Sequence, residues 1–499
     1  MLATTVSEEI ERSADPVAAA LVVERITRSR PDAASRLDEL PLLRALIAVG
    51  AASPWLSRVC VTDPDALDVL ARLDQPLDLD ALFVDGDRAS RLTRAKQLGV
   101  LRIAARDLLG LDSVEEVGDQ LSRLAARLLQ SAWQAAPAGR EGGTLAVVGM
   151  GKLGGRELNY ASDVDLLLVS PNAADADPRP FLDLARSAWR IDLDLRPEGR
   201  AGPLARTLPS YLAYWDRWAE TWEFQALLKA RAVAGDTALG SAFEAEAATR
   251  VWGRPFGADQ LRQVRQLKAR AEQAVTRQGL ADRELKRGKG GIRDIEFAIQ
   301  LLQLVHGRAD QHLRSPSSLP ALRALAAGGY VSPEDAADLE AAYQFLRTVE
   351  HRLQLQEGQQ VHTLPARPDA RTRLARVLGY RDQAGGTALA QFEADRKRHQ
   401  SRVRWIHERL FFRPLLESFT AGGGGQLLSP EAATERLQAF GFADADRTFQ
   451  AVRELTRGFS RASQLMNRML PLLLDWLSQS ADPDLGLLGL RTLATGTGR

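Results

Sequence analysis

The run from Leu145 to Val169, LAVVGMGKLGGRELNYASDVDLLLV, restricts this chain more than any other stretch. It reads as a buried strand, a glycine-rich turn carrying one lysine, a short polar connection, and a second strand that opens on Asp163 and Asp165. Side chains alternate faces along a strand, so the two carboxylates share one face while Val164 and Leu166 pack on the other. Convergent carboxylates beside a phosphate-sized glycine turn point to a site for a metal-bound nucleotide.

Two other readings of the turn fail on spacing. Gly149-Met-Gly151-Lys-Leu-Gly154 matches the dinucleotide pattern G-x-G-x-x-G. That pattern needs a helix that returns to a parallel strand, and the nine positions from Gly154 to Asp163 leave no room for one. A Walker A loop needs serine or threonine after its lysine, where this chain has Leu153.

A third strand is expected over Arg190–Arg196, with Asp192 and Asp194 on one face and Ile191, Leu193 and Leu195 on the other. If the strands are neighbours, three or four carboxylates meet at one sheet edge. Asp163, Asp165 and Asp192 are then the candidate catalytic and metal-holding groups, for Mg²⁺ or Mn²⁺. Such ions keep several waters and clamp the attacking and leaving oxygens in phosphoryl or nucleotidyl transfer. Gly149, Gly151, Lys152, Ser162 and Arg196 are the candidates for holding the phosphates. Only seven of the 65 basic residues are lysine, and Lys152, Lys229, Lys286 and Lys289 all fall in these segments. In LKRGKGGIRDIEF, a basic glycine turn opens a helix, so Lys286 and Arg293, with Lys229, are further anion candidates.

The remainder reads as helix. The expected organisation is a helical domain over 1–140, a nucleotidyltransferase domain over 141–255, a helical domain over 256–415 packing on it, and a helical bundle or linker region over 427–499. AAPAGREGG and SFTAGGGGQLLSP mark two of the boundaries. Tyr211, Tyr214, Trp215, Trp218 and Trp222 fall at helical spacing and read as one packed stripe. His351 and His362 lack metal-like spacing and read as structural.

Composition excludes several classes. The net charge of +1 supplies no field to draw the chain onto nucleic acid or an anionic membrane. A single cysteine rules out an internal disulfide and fits a reducing compartment. No apolar run reaches membrane-spanning length, and the acidic N-terminus lacks a signal-peptide layout, so a cytoplasmic location is expected.

The motif GMGKLGGRELNYASDVDLLLV resembles the signature of the bifunctional glutamine synthetase adenylyltransferase and adenylyl-removing family. The similarity continues through IDLDLRPEGRAGPL, WEFQALLKAR, LKRGKGGIRDIEFAIQLLQ and FLRTVEHRLQ with HTLP, over most of residues 90–415. Asp194 stands where many members carry arginine, and Asp192 occupies the matching carboxylate position. The resemblance implies an α+β, mostly helical chain whose small mixed sheet has the nucleotidyltransferase fold of the DNA polymerase beta type. Its layout is that of the N-terminal half of the family, which implies removal of AMP from a tyrosine of glutamine synthetase by phosphorolysis, with phosphate entering and ADP leaving. The alternatives are transfer of AMP from ATP to the same tyrosine, and a non-catalytic nucleotide-sensing scaffold. Glutamine synthetase and the PII signal protein are the implied partners. By the same resemblance the chain is expected to be part of a longer protein, with a C-terminal half beyond Arg499.

Overall fold

The computed structural model describes residues 2–496 apart from 31–34, 77, 79, 81–86, 137–144, 173–176, 255, 257, 418–436, 438–441 and a set of positions between 457 and 481. Both boundary segments expected from composition lie almost wholly outside the described residues.

The chain begins with helices α1 (Leu2–Arg12), α2 (Pro16–Ser29), α3 (Leu40–Ala52), α4 (Pro54–Thr62), α5 (Ala66–Ala71), α6 (Arg88–Leu108) and α7 (Val114–Ala135). Their starts are written in the sequence. The side chains of Asp15, Ser53, Asp87 and Ser113 each accept a backbone amide of the following first turn. Proline stands in the first turn of α2, α3 and α4, where no amide partner is lost.

The sheet follows, made of β1 (Ala146–Gly149), β2 (Val164–Val169), β3 (Ile191–Asp192) and β4 (Arg231–Gly235), in the order β3-β2-β1-β4. A four-residue helix α8 (Gly151–Gly154) joins β1 to β2, and α9 (Arg179–Ala188) joins β2 to β3. Helices α10 (Leu208–Arg217) and α11 (Thr221–Leu227) precede β4. β1 pairs antiparallel with both β2 and β4, while β2 and β3 are parallel. An antiparallel β1–β2 pair needs no crossover helix, which is why the short connection suffices and a dinucleotide unit does not form.

Both faces of the sheet are covered. Val147, Val164, Leu166 and Leu168 belong to the core of the N-terminal helices, with α6 and α7 supplying Leu98, Leu101, Leu121 and Leu128. Ala146, Val148, Leu167 and Val169 pack on the other side against Tyr211, Trp215, Phe224 and Phe243, the last from α12 (Thr237–Gly253). Beyond lie α13 (Ala258–Arg277), α14 (Ile292–His306), α15 (Ser318–Ala327), α16 (Pro333–Glu357), α17 (Pro368–Val377) and α18 (Ala388–Glu417), then α19 (Ala445–Thr456) and α20 (Pro483–Gly496). The helices from α14 to α18 share a separate core, and Leu301 of α14 joins the cluster built by Phe442, Phe449, Val452 and Leu487. Among the described residues no helix is long and apolar enough to cross a membrane.

Two expectations are corrected. The third strand is not seven residues long: it ends at Asp192, because Asp192 Oδ1 accepts the Asp194 amide at 2.7 Å and turns the chain away from the sheet. The aromatic stripe is not continuous: α10 stops at Arg217, and the phase is lost before α11 begins at Thr221. Tyr211 and Trp215 are buried, whereas Trp218 is 74% exposed.

Candidate active site

The site lies where β1 ends and β2 and β3 begin. The register places Asp165 directly beside Asp192 across the parallel pair. The Met150 amide donates to the Asp165 carbonyl at 2.9 Å, which brings the glycine turn against the same strand end. Gly151 has φ +51°, and a Cβ there would stand 2.5 Å from Asp165 Oδ2, so only glycine leaves that carboxylate its place. Gly154 solves a different steric problem: a Cβ would fall 1.6 Å from the Lys229 carbonyl oxygen. The third glycine therefore serves close approach to the chain entering β4, not the helix packing of a dinucleotide unit. Arg231 holds the far end of α8, donating to the carbonyls of Leu153 and Gly154 at 2.9 and 3.1 Å.

Lys152 reaches back across the turn, its Nζ 3.1 Å from Ser162 Oγ. Burial, reinforced by Lys286 and partly offset by Glu350, pushes the Lys152 ammonium down to about 7. Asp165 shifts the opposite way. Burial, against the pull of Lys152 and with Asp192 adding to it, pushes its carboxyl up to about 6. Lys286 is felt at both groups, although it lies more than 100 positions downstream. It is set there by pairing of its segment with the HTLP stretch: the Leu285 amide donates to the His362 carbonyl at 2.8 Å and Glu284 bridges to Thr363.

Asp163 stands close enough to raise the Asp165 carboxyl, and it accepts from Arg190, whose guanidinium also reaches Gln360. The remaining candidates are held in other contacts. Asp194 is exposed and pairs with Arg200 at 2.9 Å. The buried Arg196 donates to the carbonyls of Leu193 and Gly202 at 2.7 and 3.2 Å and braces the turn after β3. Lys229 is buried in an ion pair with Glu157 and lies 3.2 Å from Ser318 Oγ. Arg293 lies over the Phe297 ring on α14. The structure thus gathers Asp163, Asp165, Asp192, Gly151, Lys152 and Ser162, with Lys286 within electrostatic reach, and keeps Asp194, Arg196 and Lys229 in other contacts.

Among the described residues no three His, Cys, Asp or Glu side chains already form a cation cage. The donor set present is the Asp165–Asp192 pair, with Asp163 beside it and paired to Arg190. This pair suits a hard divalent ion, which is commonly held by one or two carboxylates and completed by water and substrate oxygens. Burial and the neighbouring carboxylates raise the proton affinity of Asp165 against the pull of Lys152, and a bound cation would offset that rise.

Reading the sequence alone misses Glu350, Arg347 and Gln354, which grip the connection between turn and strand at Glu157, Asn159 and Ala161. Their signal was Arg347, Glu350 and Gln354 at three- and four-residue spacing, continuing a helix face that begins with Ala336, Leu339 and Tyr343. His362, read as structural, lies 2.6 Å from Glu350 Oε1.

Comparison with known proteins agrees with the motifs. A family model described as glutamate-ammonia ligase adenylyltransferase matches residues 43–180 and 184–246, and one described as GlnD PII-uridylyltransferase matches residues 261–411. The chain is 41% identical to a bifunctional glutamine synthetase adenylyltransferase/adenylyl-removing enzyme of Streptomyces coelicolor, over 98% of this chain and 52% of the relative. Proteins of the same name from Nocardia farcinica and Mycobacterium marinum are 39% and 38% identical, over 93% and 97% of this chain and 50% and 52% of their own lengths. The chain therefore belongs to the glutamine synthetase adenylyltransferase family and spans about half the length of the curated relatives it matches.

Proposed function

We propose that this chain is a metal-dependent nucleotidyltransferase that removes AMP from an adenylylated tyrosine of glutamine synthetase by phosphorolysis. The observation that carries the chemistry is the Asp165–Asp192 pair, in register across β2 and β3 and facing a glycine turn that carries Lys152, with Lys286 within electrostatic reach. The small mixed sheet between helical layers is then read as a nucleotidyltransferase fold of the polymerase beta type. In the reaction an oxygen of inorganic phosphate attacks the adenylyl phosphorus. The bond from phosphorus to the tyrosine oxygen breaks, the phenolate leaves and takes up a proton, and ADP is released. Phosphate is anionic near neutral pH, so this nucleophile needs no general base.

Asp165 and Asp192 would hold Mg²⁺ or Mn²⁺, which supplies charge neutralisation for the phosphate oxygens. The Gly151 amide and the Lys152 ammonium orient the phosphates, and Ser162 holds Lys152 in place. Helices cover both faces of the sheet, and the low dielectric they bring strengthens each of these contacts.

The test is incubation with adenylylated glutamine synthetase, Mg²⁺ and inorganic phosphate. Formation of ADP is expected; incorporation of AMP from ATP with no ADP formed would assign the forward reaction instead. PII and a cytoplasmic setting belong to the same proposal and rest on the family.

The Lys152 ammonium gives a second expectation. With its folded value near 7, it is charged below that pH and loses its proton above it. Between pH 7.5 and 9 the charge of ADP is constant, since its terminal phosphate titrates near about 6. ADP affinity is expected to fall across that range by up to about tenfold per pH unit, and Lys152→Arg, which stays charged, to flatten the profile. Titration calorimetry at four pH values checks it; a flat profile in the unaltered protein would exclude this role for Lys152.

A further inference from the structure

Glu350 is completely buried, and each of its oxygens meets a segment outside its own helix. Oε2 accepts from Arg347 Nη1 at 2.7 Å and from Asn159 Nδ2 at 3.0 Å, and Oε1 lies 2.6 Å from His362 Nδ1. Asn159 belongs to the connection that leads from the glycine turn to Asp165. His362 belongs to the stretch whose carbonyl fixes Leu285, next to Lys286. The two segments that bring the cations Lys152 and Lys286 to the site are thus joined through one carboxylate on α16.

The same helix face reinforces the joint. Arg347 Nη2 donates to the Glu157 carbonyl, and Gln354 Oε1 accepts the Ala161 amide at 3.0 Å. Positions 347, 350 and 354 follow the three- and four-residue spacing of one helix face, so a rigid helix grips the connection at Glu157, Asn159 and Ala161. Removing one partner of a buried charged group is costly, so this arrangement resists rearrangement.

We propose that Glu350 is a positioning residue, a hub that sets the glycine-turn connection and the Lys286 loop relative to each other and so fixes the spacing of the two cations that receive the phosphates. The proposal rests on the nucleotide reading of the site, but its structural half can be tested without it.

The variant is Glu350→Gln, which keeps the shape and removes the charge. Expected are amide exchange that speeds up in both 157–162 and 283–287, and ADP binding, measured with Mg²⁺ by calorimetry, weakened by about tenfold or more, since sub-ångström misplacement at such sites is expensive. His362→Leu removes only the arm toward Lys286, and is expected to speed exchange in 283–287 while leaving 157–162 unchanged; it also serves if the first variant folds poorly. The control is Glu393→Gln, whose carboxylate pairs with Arg371 and Arg396 and which is expected to change neither reading. Unchanged exchange in both segments of Glu350→Gln overturns the hub. Faster exchange with unchanged ADP affinity overturns its positioning role. If the unaltered protein does not bind ADP, the nucleotide reading falls, the positioning role falls with it, and exchange alone decides whether the joint exists.

Discussion

Replacing Asp165 by asparagine is expected to lower AMP removal from adenylylated glutamine synthetase by about 10²–10³-fold, the scale seen when one preorganised electrostatic group is removed from a reaction centre. In metal-free protein near pH 7.5 the same change is expected to raise the thermal midpoint. Both effects come from one cause. Burial, with Asp192 adding to it, holds the Asp165 carboxyl at about 6 against an ordinary 3.8. A carboxylate whose folded value is raised binds its proton more tightly in the folded state, so stability falls as pH climbs from about 4 to about 6 and stays at the lower level above. A shift of this size corresponds to at most about 3 kcal/mol. Asparagine removes the charge and keeps the shape, so the gain is present at pH 7.5 and absent near pH 4, where Asp165 is already protonated. Differential scanning calorimetry at the two pH values reads it. A lower midpoint at pH 7.5 would mean that Asp165 is not short of positive charge, and would remove the physical ground for placing a cation there.

The part of this site that is local in sequence was legible. Strand alternation put Asp165 on the correct face, and the short connection excluded a parallel dinucleotide unit, as the antiparallel β1–β2 register bears out. Alternation could not say where the third strand stops, because that depends on a side chain competing for a backbone amide: Asp192 captures Asp194 and the strand ends. Glycine identity was legible as a turn, but the reason differs from glycine to glycine. Gly151 makes room for a carboxylate, while Gly154 makes room for the carbonyl of Lys229 some 75 positions later. Trp218 shows the limit of periodicity, since a stripe extrapolated across a helix end loses its phase. Least legible were the long-range partners. Nothing in the spacing of Glu350 tells that it meets Asn159 and His362, because those contacts are made by tertiary packing between elements that local pattern reads separately.

Lys229 illustrates the same limit from the side of stability, and carries the largest expected stability effect. It sits among the basic residues that composition marks as anion candidates, yet its Nζ is paired with Glu157, with side-chain exposures of 9% and 11%. Burial alone would push the ammonium down, but Glu157, helped by Glu296, more than offsets it and leaves Lys229 above its ordinary value. Lys229→Met is therefore expected to destabilise the protein by about 3–5 kcal/mol, the cost of leaving a buried charge without its partner. Glu157 keeps the Ser318 amide and hydroxyl, which places the expected loss toward the lower end. In the double variant Lys229→Met with Glu157→Gln no unpaired charge remains, so a large part of the loss should return, and the coupling between the two changes is expected to exceed about 1 kcal/mol. Chemical denaturation of the four proteins of this cycle measures it. Losses that simply add would show that the pair is screened by water, and would return Lys229 to the set of cations free to meet an anion.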